Sequence, residues 1–424
     1  TRTIVVLGGA YGGRSHTFCP LAEIDADSMS GARTAQVLAA DAPKGWRIML
    51  IDRNSHVNHI YVMPRFAVLP GHEYKAYIYV MPCFAVLPGH EYKAFVPFTS
   101  IFHKDPTSIA HLHLQAHILS LTRNTVTLNE SFPNYGLHSP TIKFDYAIYA
   151  LGSHLPAPLD LWGTPAYPDN KNNIHYHEFA TDIAAIYPNK KVTLLHSRDR
   201  FLPRFDEAMH FEVLRSLKDE NIEVILGERL NLDSIKNGQG IVNTTTGRKV
   251  VRTVKGREIE ADLLLLCTGQ KPNTQITVNP ENSLAQVIRT LQIGVLPSSQ
   301  MISKAEKSAV RDTLGDETTP YPNIFVIGDS ADAFGAIAAG HNAYYQGEVA
   351  AQNIIRLIKR SESSPSEKVQ EAFEPLEHYT PRPPAIKVSL GLTKSVYQSA
   401  GVIGTKNDWP LFGIKVIRDE DMIP

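Results

Sequence analysis

The chain has 424 residues, enough for two or three domains with cores of their own. Its 43% hydrophobic and 20% charged content is that of an ordinary globular protein, and 42 basic against 43 acidic side chains leave a net charge of −1. That balance offers no basic face for nucleic acid, and no apolar run approaches the ~18–20 residues that cross a bilayer.

Residues 3–7 are a short apolar run rich in β-branched side chains, which reads as a buried strand. It leads straight into Gly8-Gly9-Ala10-Tyr11-Gly12-Gly13. Dinucleotide-binding folds begin this way. Glycine lets the backbone turn tightly and approach a pyrophosphate, which then sits at the positive end of the next helix. Against the G-x-G-x-x-G spacing the matching positions are Gly8, Ala10 and Gly13, so the middle one carries a methyl group.

The helix that should follow at once is displaced. Arg14-Ser15-His16-Thr17-Phe18-Cys19-Pro20 puts a proline where a helix interior would lie. A convincing helical pattern starts only at Ser30, a fitting N-cap, and runs to Ala40. The next strand covers 47–51 and ends in Asp52. An acid at this strand end takes a ribose hydroxyl about 20 residues past the glycines, whereas Gly13 and Asp52 are 39 apart. Removing the 18 residues 14–31 leaves 21. The segment therefore reads as an insertion, with either Gly13 or Gly31 as the last glycine of the fingerprint.

Residues 60–77 and 78–95 are a tandem duplication of period 18, identical at 16 positions, with Arg65 answered by Cys83 and Tyr77 by Phe95. Two copies are too few for a solenoid, so at most one occupies a native position. Alternation over 111–121 and 125–128 predicts strands of a small antiparallel sheet, and 143–150 a strand running into Leu151-Gly152-Ser153. A helix over 178–187, a strand over 191–195 with a turn at His196-Ser197-Arg198, a helix over 206–220 and a strand over 223–226 follow. Strand 261–266 ends in Cys267-Thr268-Gly269, strand 324–327 ends in Gly328-Asp329, and a helix spans 338–359. Residues 360–368, rich in Ser and Glu, read as a linker, and the last fifty as short strands and turns.

The three cysteines, Cys19, Cys83 and Cys267, form no C-x-x-C or C-x4-C pair, so neither a disulfide framework nor a dithiol redox centre is expected. The histidine pairs 56/59, 111/113 and 175/177 lack a Cys or carboxylate set to complete a tetrahedral site, and no metal is expected. There is no recognisable targeting segment, and the compartment, cytoplasmic or mitochondrial, stays open.

Taken together, the glycine turn after the first strand, Ala150-Leu151-Gly152, Cys267-Thr268-Gly269 and Ile327-Gly328-Asp329 resemble flavoproteins with two dinucleotide-binding domains, the pyridine nucleotide-disulfide reductase superfamily. Val192-Thr193-Leu194-Leu195-His196-Ser197-Arg198 and Phe334-Gly335-Ala336-Ile337-Ala338-Ala339-Gly340-His341 resemble its apoptosis-inducing-factor-like branch, which includes the ferroptosis-suppressor type of NAD(P)H:quinone reductase. The resemblance implies an α/β fold of two three-layered Rossmann-like domains plus a small C-terminal segment. The FAD-binding domain would take 1–154 and 270–360, the NAD(P)H-binding domain 155–269, and a small C-terminal domain 369–424. It implies FAD on Gly8, Gly9, Ala10 and Gly13, Asp52 on the adenosine ribose, and Asp329 beside Gly328 on the ribitol chain. The helix near Ala338 would aim its positive end at the flavin, with His341 near the flavin edge or packed in the core. Gly152 and Gly269 would be close-approach turns, Arg65 would lie near the flavin, and Glu178 would contact the nicotinamide of NADH or NADPH.

One departure stands out. Between Gly152 and Val192 the only glycine is Gly163, so the strand and glycine turn that should precede the Glu178 helix are missing. Losing two or three backbone bonds to a pyrophosphate, each worth ~1.5–3 kcal/mol, weakens nucleotide binding at least about a hundredfold. An insertion, a duplication and a deletion in one chain suggest altered splicing, or mis-assigned exon boundaries, of a normal reductase. At the end of strand 191–195, where an NAD-selective site puts an acid, stand His196 and Arg198. They can accept a 2′-phosphate or be an ordinary exposed turn.

The leading expectation is an FAD-dependent NAD(P)H oxidoreductase that passes electrons directly to a quinone-like small molecule. The alternative is a non-catalytic flavin-binding or defective form acting as an interaction protein. By analogy with the family, a peripheral membrane contact through the C-terminal segment and a homodimer are further partners.

Overall fold

A computed structural model of the protein describes residues 2–9, 30–58, 95–98, 101–102, 111–154, 176–234, 241–262, 264, 271–276, 284–294, 319, 321–363, 373–391, 394–399 and 401–407. The chain divides into two compact units, the first built from Thr1–Asn58, Phe95–Ser153 and Lys271–Arg382.

The first unit is organised on β1 (Arg2–Leu7), whose residues from Ile4 to Leu7 are fully buried. A strand this apolar on both faces belongs in the middle of a parallel sheet with helices on either side. Its neighbours are β2 (Trp46–Asp52) on one flank and β4 (Tyr146–Tyr149) on the other, both parallel to it. Beyond β2 lies β3 (Leu112–Gln115), also parallel. The strand β7 (Gln292–Ile293) pairs antiparallel with β8 (Tyr321–Val326), which pairs parallel with β4. The order across the sheet is β7-β8-β4-β1-β2-β3. The chain thus moves from β1 outward through β2 to β3, then returns to the other side of β1 as β4. The order reverses between β1 and β4, and ligands bind at such a reversal, outside the carboxyl ends of the strands.

Helix α1 (Ser30–Asp41) presents small residues, Gly31, Ala32, Thr34 and Ala35, to the interior. It packs against the long helix α4 (Gly340–Glu362), where a Cβ on Gly347 would lie 2.3 Å from Thr34 Oγ1 and 3.3 Å from the Ser30 carbonyl oxygen. The buried stripe of α4, including Ala343, Gly347, Ala350, Ala351, Ile354, Ile355 and Ile358, follows the three-and-four spacing of an amphipathic helix. Each buried isoleucine is worth roughly 1.5–3 kcal/mol. Lys359 and Arg360 lie in its last turn, where the helix dipole favours cations.

The second unit takes its described residues from His154–Gln270 and Pro383–Pro424. Helix α2 (Tyr176–Ile186) and helix α3 (Glu207–Asp219) accompany a parallel pair, β5 (Thr193–Leu195) and β6 (Glu223–Ile225). Asp206 caps α3 by accepting the Ala208 N–H at 2.9 Å. An antiparallel sheet of Ile386–Leu390, Lys394–Ser399 and Val402–Asn407 puts Val388, Leu390 and Val396 into the same core as Met209, Val213 and Leu217 of α3.

Three expectations about elements change. The strand within 111–121 is split: β3 joins the main parallel sheet, and only Ile118–Leu121 forms the small antiparallel sheet, with Thr125–Leu128 and Thr141–Lys143. Leu112 and Leu114, two residues apart and so on one face of the strand, are buried in the core of the first unit. Helix α4 runs through to Glu362, past the start of the expected linker, because Glu362 accepts from Arg2 and from Trp46 Nε1 at 2.9 Å. Ser30 is the first residue of α1 itself, and no described residue partners its buried hydroxyl, so it is not an N-cap.

Candidate functional site

The carboxyl ends of β8, β4, β1 and β2 lie side by side in the first unit and bring together glycines far apart in sequence. Gly8, directly after β1, has φ +95°, and a Cβ there would meet the Ala150 carbonyl oxygen at 2.6 Å. Its N–H donates to the Ile51 carbonyl at 2.8 Å, while the Ala150 N–H donates to the Leu7 carbonyl at 2.8 Å. Only glycine fits this turn. Gly9 is equally confined, since a Cβ on it would fall 2.5 Å from Cζ of the buried Phe98.

Helix α1 docks on this turn through Gly31. A Cβ on Gly31 would lie 1.8 Å from the Gly8 carbonyl oxygen and 3.3 Å from Gly9 Cα. In a dinucleotide fingerprint the last glycine exists for this close approach of helix to strand. Of the two candidates for that role, Gly31 therefore makes the contact, and Gly13 lies outside the described residues.

Asp52 ends β2 with its carboxylate buried. Oδ2 accepts the Gly9 N–H at 2.7 Å, and Oδ1 accepts the Asn54 N–H at 2.8 Å. A carboxylate has about four lone-pair directions, so the two oxygens keep acceptor capacity for a diol. His113 on β3 lies nearby, its ring 4.9 Å from that of Phe98. Burial holds its pKa below the usual histidine value, an effect opposed by the Asp52 charge and a bond to the Asn54 backbone. Replacing Asp52 with alanine should strand two backbone N–H groups and cost about 2–6 kcal/mol at ~1–3 kcal/mol each. Thermal denaturation of the purified protein checks this, and an unchanged Tm would deny Asp52 its place in the turn.

Across the reversal, Gly152 (φ +61°) and Gly328 (φ +71°) stand at the ends of β4 and β8. The Gly152 N–H donates to Ser330 Oγ at 3.0 Å, Ser153 Oγ donates to Asp329 Oδ2 at 2.9 Å, and the Gly328 N–H donates to Gln346 Oε1 at 2.7 Å. Asp329 and Ser330 are buried. Tyr149, the last residue of β4, donates its hydroxyl to the Asn273 carbonyl, and burial pushes its pKa up. His341 follows Gly340 at the start of α4, and its pKa is lowered by burial and then by the Arg382 cation. Arg382 itself stacks 3.5 Å from the centroid of the Tyr345 ring.

The structure thus gathers Gly8, Gly9 and Asp52 on one side of the reversal and Gly152, Gly328 and Asp329 on the other. Ala10, Gly13, Arg65 and Gly269 lie outside the described residues. Glu178 is the third residue of α2 in the second unit, and only its backbone is described. Sequence reasoning passed over Phe98, Ser330 and Gln346. Their contacts span 178 residues for Gly152 with Ser330 and 18 for Gly328 with Gln346, and no local spacing announces them. Among the described residues no cluster of three metal-ligating side chains occurs, and no helix is long and apolar enough to cross a membrane.

Comparison with known proteins places this geometry. Residues 28–347 match the pyridine nucleotide-disulphide oxidoreductase family. The chain is 33% identical to Fe-regulated protein 8 of Mycosarcoma maydis over 433 aligned residues, covering 94% of this chain and 89% of that protein. It is 27% identical to mouse (Mus musculus) ferroptosis suppressor protein 1 over 229 residues, covering 53% of this chain and 50% of the relative. Among solved structures, NDH2 from Plasmodium falciparum in complex with NADH superposes with a TM-score of 0.55 at 9% identity, over 96% of this chain and 91% of the other. At that identity the likeness speaks for the fold alone.

Proposed function

The chain belongs to the pyridine nucleotide-disulphide oxidoreductase family, and from that premise we propose that it is an FAD-dependent NAD(P)H oxidoreductase acting on a quinone-like acceptor without a redox disulfide. The observation that carries the reading is the contact of Gly31 with the Gly8 carbonyl beside Asp52. That close approach of helix to glycine turn, beside a strand-end carboxylate with acceptor capacity to spare, is what a pyrophosphate and its ribose require. Gly8, Gly9 and Gly31 hold the backbone close to the pyrophosphate, with Ala10 and Gly13 in the same fingerprint. Asp52 takes the adenosine ribose, and Asp329 the ribitol chain. Gly152, Gly269 and Gly328 keep the strand ends bare, and Arg65 and Glu178 complete the set on the flavin and nicotinamide sides. When bound, the flavin supplies a ring that accepts hydride from NAD(P)H and releases electrons to an acceptor. The absence of a C-x-x-C pair leaves the flavin as the exit for those electrons. The same reading includes a homodimer and a peripheral membrane contact.

A second reading is favoured by the lone Gly163 between Gly152 and Val192: a flavin-binding form that no longer turns over. One titration separates the two. The purified chain is inspected for flavin absorbance, then mixed anaerobically with NADH or NADPH, then with a soluble quinone. Yellow protein that bleaches and recovers its colour with quinone supports the oxidoreductase. Yellow protein that never bleaches supports the flavin binder, and colourless protein defeats both.

A further inference from the structure

The segments that follow β4 and β8 in the first unit are joined by a reciprocal pair of hydrogen bonds. Gly152 donates its N–H to Ser330 Oγ at 3.0 Å, and the next residue, Ser153, donates its hydroxyl to Asp329 Oδ2 at 2.9 Å. Each segment thus supplies one side-chain hydroxyl to the other. Asp329 and Ser330 are buried, and away from water a bond to a carboxylate gains strength.

The backbone that carries Ser153 is itself held. Asn273 donates its side-chain Nδ2 to the Leu151 carbonyl at 2.8 Å and its backbone N–H to the Gly152 carbonyl at 2.8 Å. Its own carbonyl accepts the Tyr149 hydroxyl. Gly152 turns the chain at φ +61°, in the left-handed region that favours glycine. On the other side, the buried Gln346 of α4 accepts the Gly328 N–H at 2.7 Å and fixes the residue before Asp329. These supports place the backbone of Asp329 but not its oxygens. The last torsion of an aspartate is broad and roughly two-fold, so the carboxylate needs a bond of its own to hold one orientation. Ser153 provides that bond.

We propose that Ser153 is a positioning residue: its hydroxyl fixes the orientation in which the Asp329 carboxylate meets the ribitol chain of the flavin. The inference rests on the FAD reading, which assigns Asp329 to that chain, and it adds the residue through which the assignment works. It also separates the two halves of the ligand. Adenosine and pyrophosphate belong to Gly8, Gly9, Gly31 and Asp52, across the reversal in strand order, so loss of the Ser153 hydroxyl should be felt only by a ligand that carries the ribitol.

The test is calorimetric titration of the full-length protein, freed of any flavin, with FAD and with ADP, which has the adenosine and the pyrophosphate but no ribitol. S153A should bind FAD about ten- to a hundredfold more weakly than the native chain, the range of one hydrogen bond to a charged group, and should bind ADP equally well. S153T keeps the hydroxyl in a short extended segment, where β-branched residues fit, and should bind FAD as the native chain does. In a D329A background the S153A change should have no further effect, as a residue that acts through Asp329 requires. Native FAD affinity in S153A, equal weakening of FAD and ADP, S153T no better than S153A, or an S153A effect that persists beside D329A overturns the proposal. D329A alone separates this failure from that of the parent reading. If D329A loses FAD affinity while S153A does not, the ribitol assignment stands and the positioning role falls. If D329A binds FAD as the native chain does, or the native chain binds none, the ribitol assignment falls and takes the positioning role with it.

Discussion

A Gly31→Ala chain is expected to be isolated without flavin and to melt at a lower temperature than the native protein. The added methyl would lie 1.8 Å from the Gly8 carbonyl oxygen, 2.9 Å from its carbonyl carbon and 3.3 Å from Gly9 Cα. All three are backbone atoms of the turn that closes β1, so no flexible side chain can swing aside. The helix cannot slide away either, since Thr34 and the Ser30 carbonyl are already in contact with Gly347 of α4. Overpacking of this kind costs about 1–3 kcal/mol even where the surroundings adjust. Here the adjustment must move the start of α1 off the glycine turn, which removes the close approach a pyrophosphate needs. Flavin-to-protein absorbance ratio and differential scanning fluorimetry read the two effects. A Gly31→Ala protein with the native flavin content would show that the helix contact is not part of the site.

Much of this site is legible in the sequence because its signals are local. A buried strand followed at once by Gly8, a strand ending in Asp52, and the pairs Leu151-Gly152 and Gly328-Asp329 are punctuation marks, readable without knowing what lies beside them. Partner choice is not local. Alternation over 111–121 marks strands and puts Leu112 and Leu114 on one face, but it does not say which neighbour a strand pairs with, and the first of them pairs with β2. Ser330 looks like any serine after an aspartate until its hydroxyl meets the Gly152 N–H. The polar composition after residue 359 suggests a linker, yet the contacts of Glu362 with Arg2 and Trp46 hold another turn of helix. Sequence also could not choose between Gly13 and Gly31, since once 14–31 is read as an insertion either glycine can stand at the end of the fingerprint. The choice is made by the Gly8 carbonyl, which admits no side chain.

The two irregular stretches of the first half share a geometric property that explains how the sheet survives them. Gly9 and Gly31 are in contact although 21 residues separate them. Asn58 and Phe95, which flank residues 59–94, are paired partners in adjacent antiparallel strands. In both places the chain leaves and returns at one point, so extra residues need not shift β1, β2 or α1. For the first stretch this leads to a quantitative expectation. Deleting 14–31 joins Gly13 to Ala32, puts Gly13 where Gly31 now docks, and leaves three residues, 10–12, between Gly9 and that glycine. Shortening the closure from 21 residues to three should recover about 1.7 kcal/mol of loop entropy, roughly a fifteenfold change in an equilibrium constant. Because docking of α1 forms the crevice, the gain should appear both as a higher Tm and as tighter FAD binding by the apoprotein. Fluorescence titration of deflavinated native and shortened chains measures it directly. Equal or weaker binding by the shortened chain would falsify the view that 14–31 interrupts a regular fingerprint, and would mean that residues within it belong to the site.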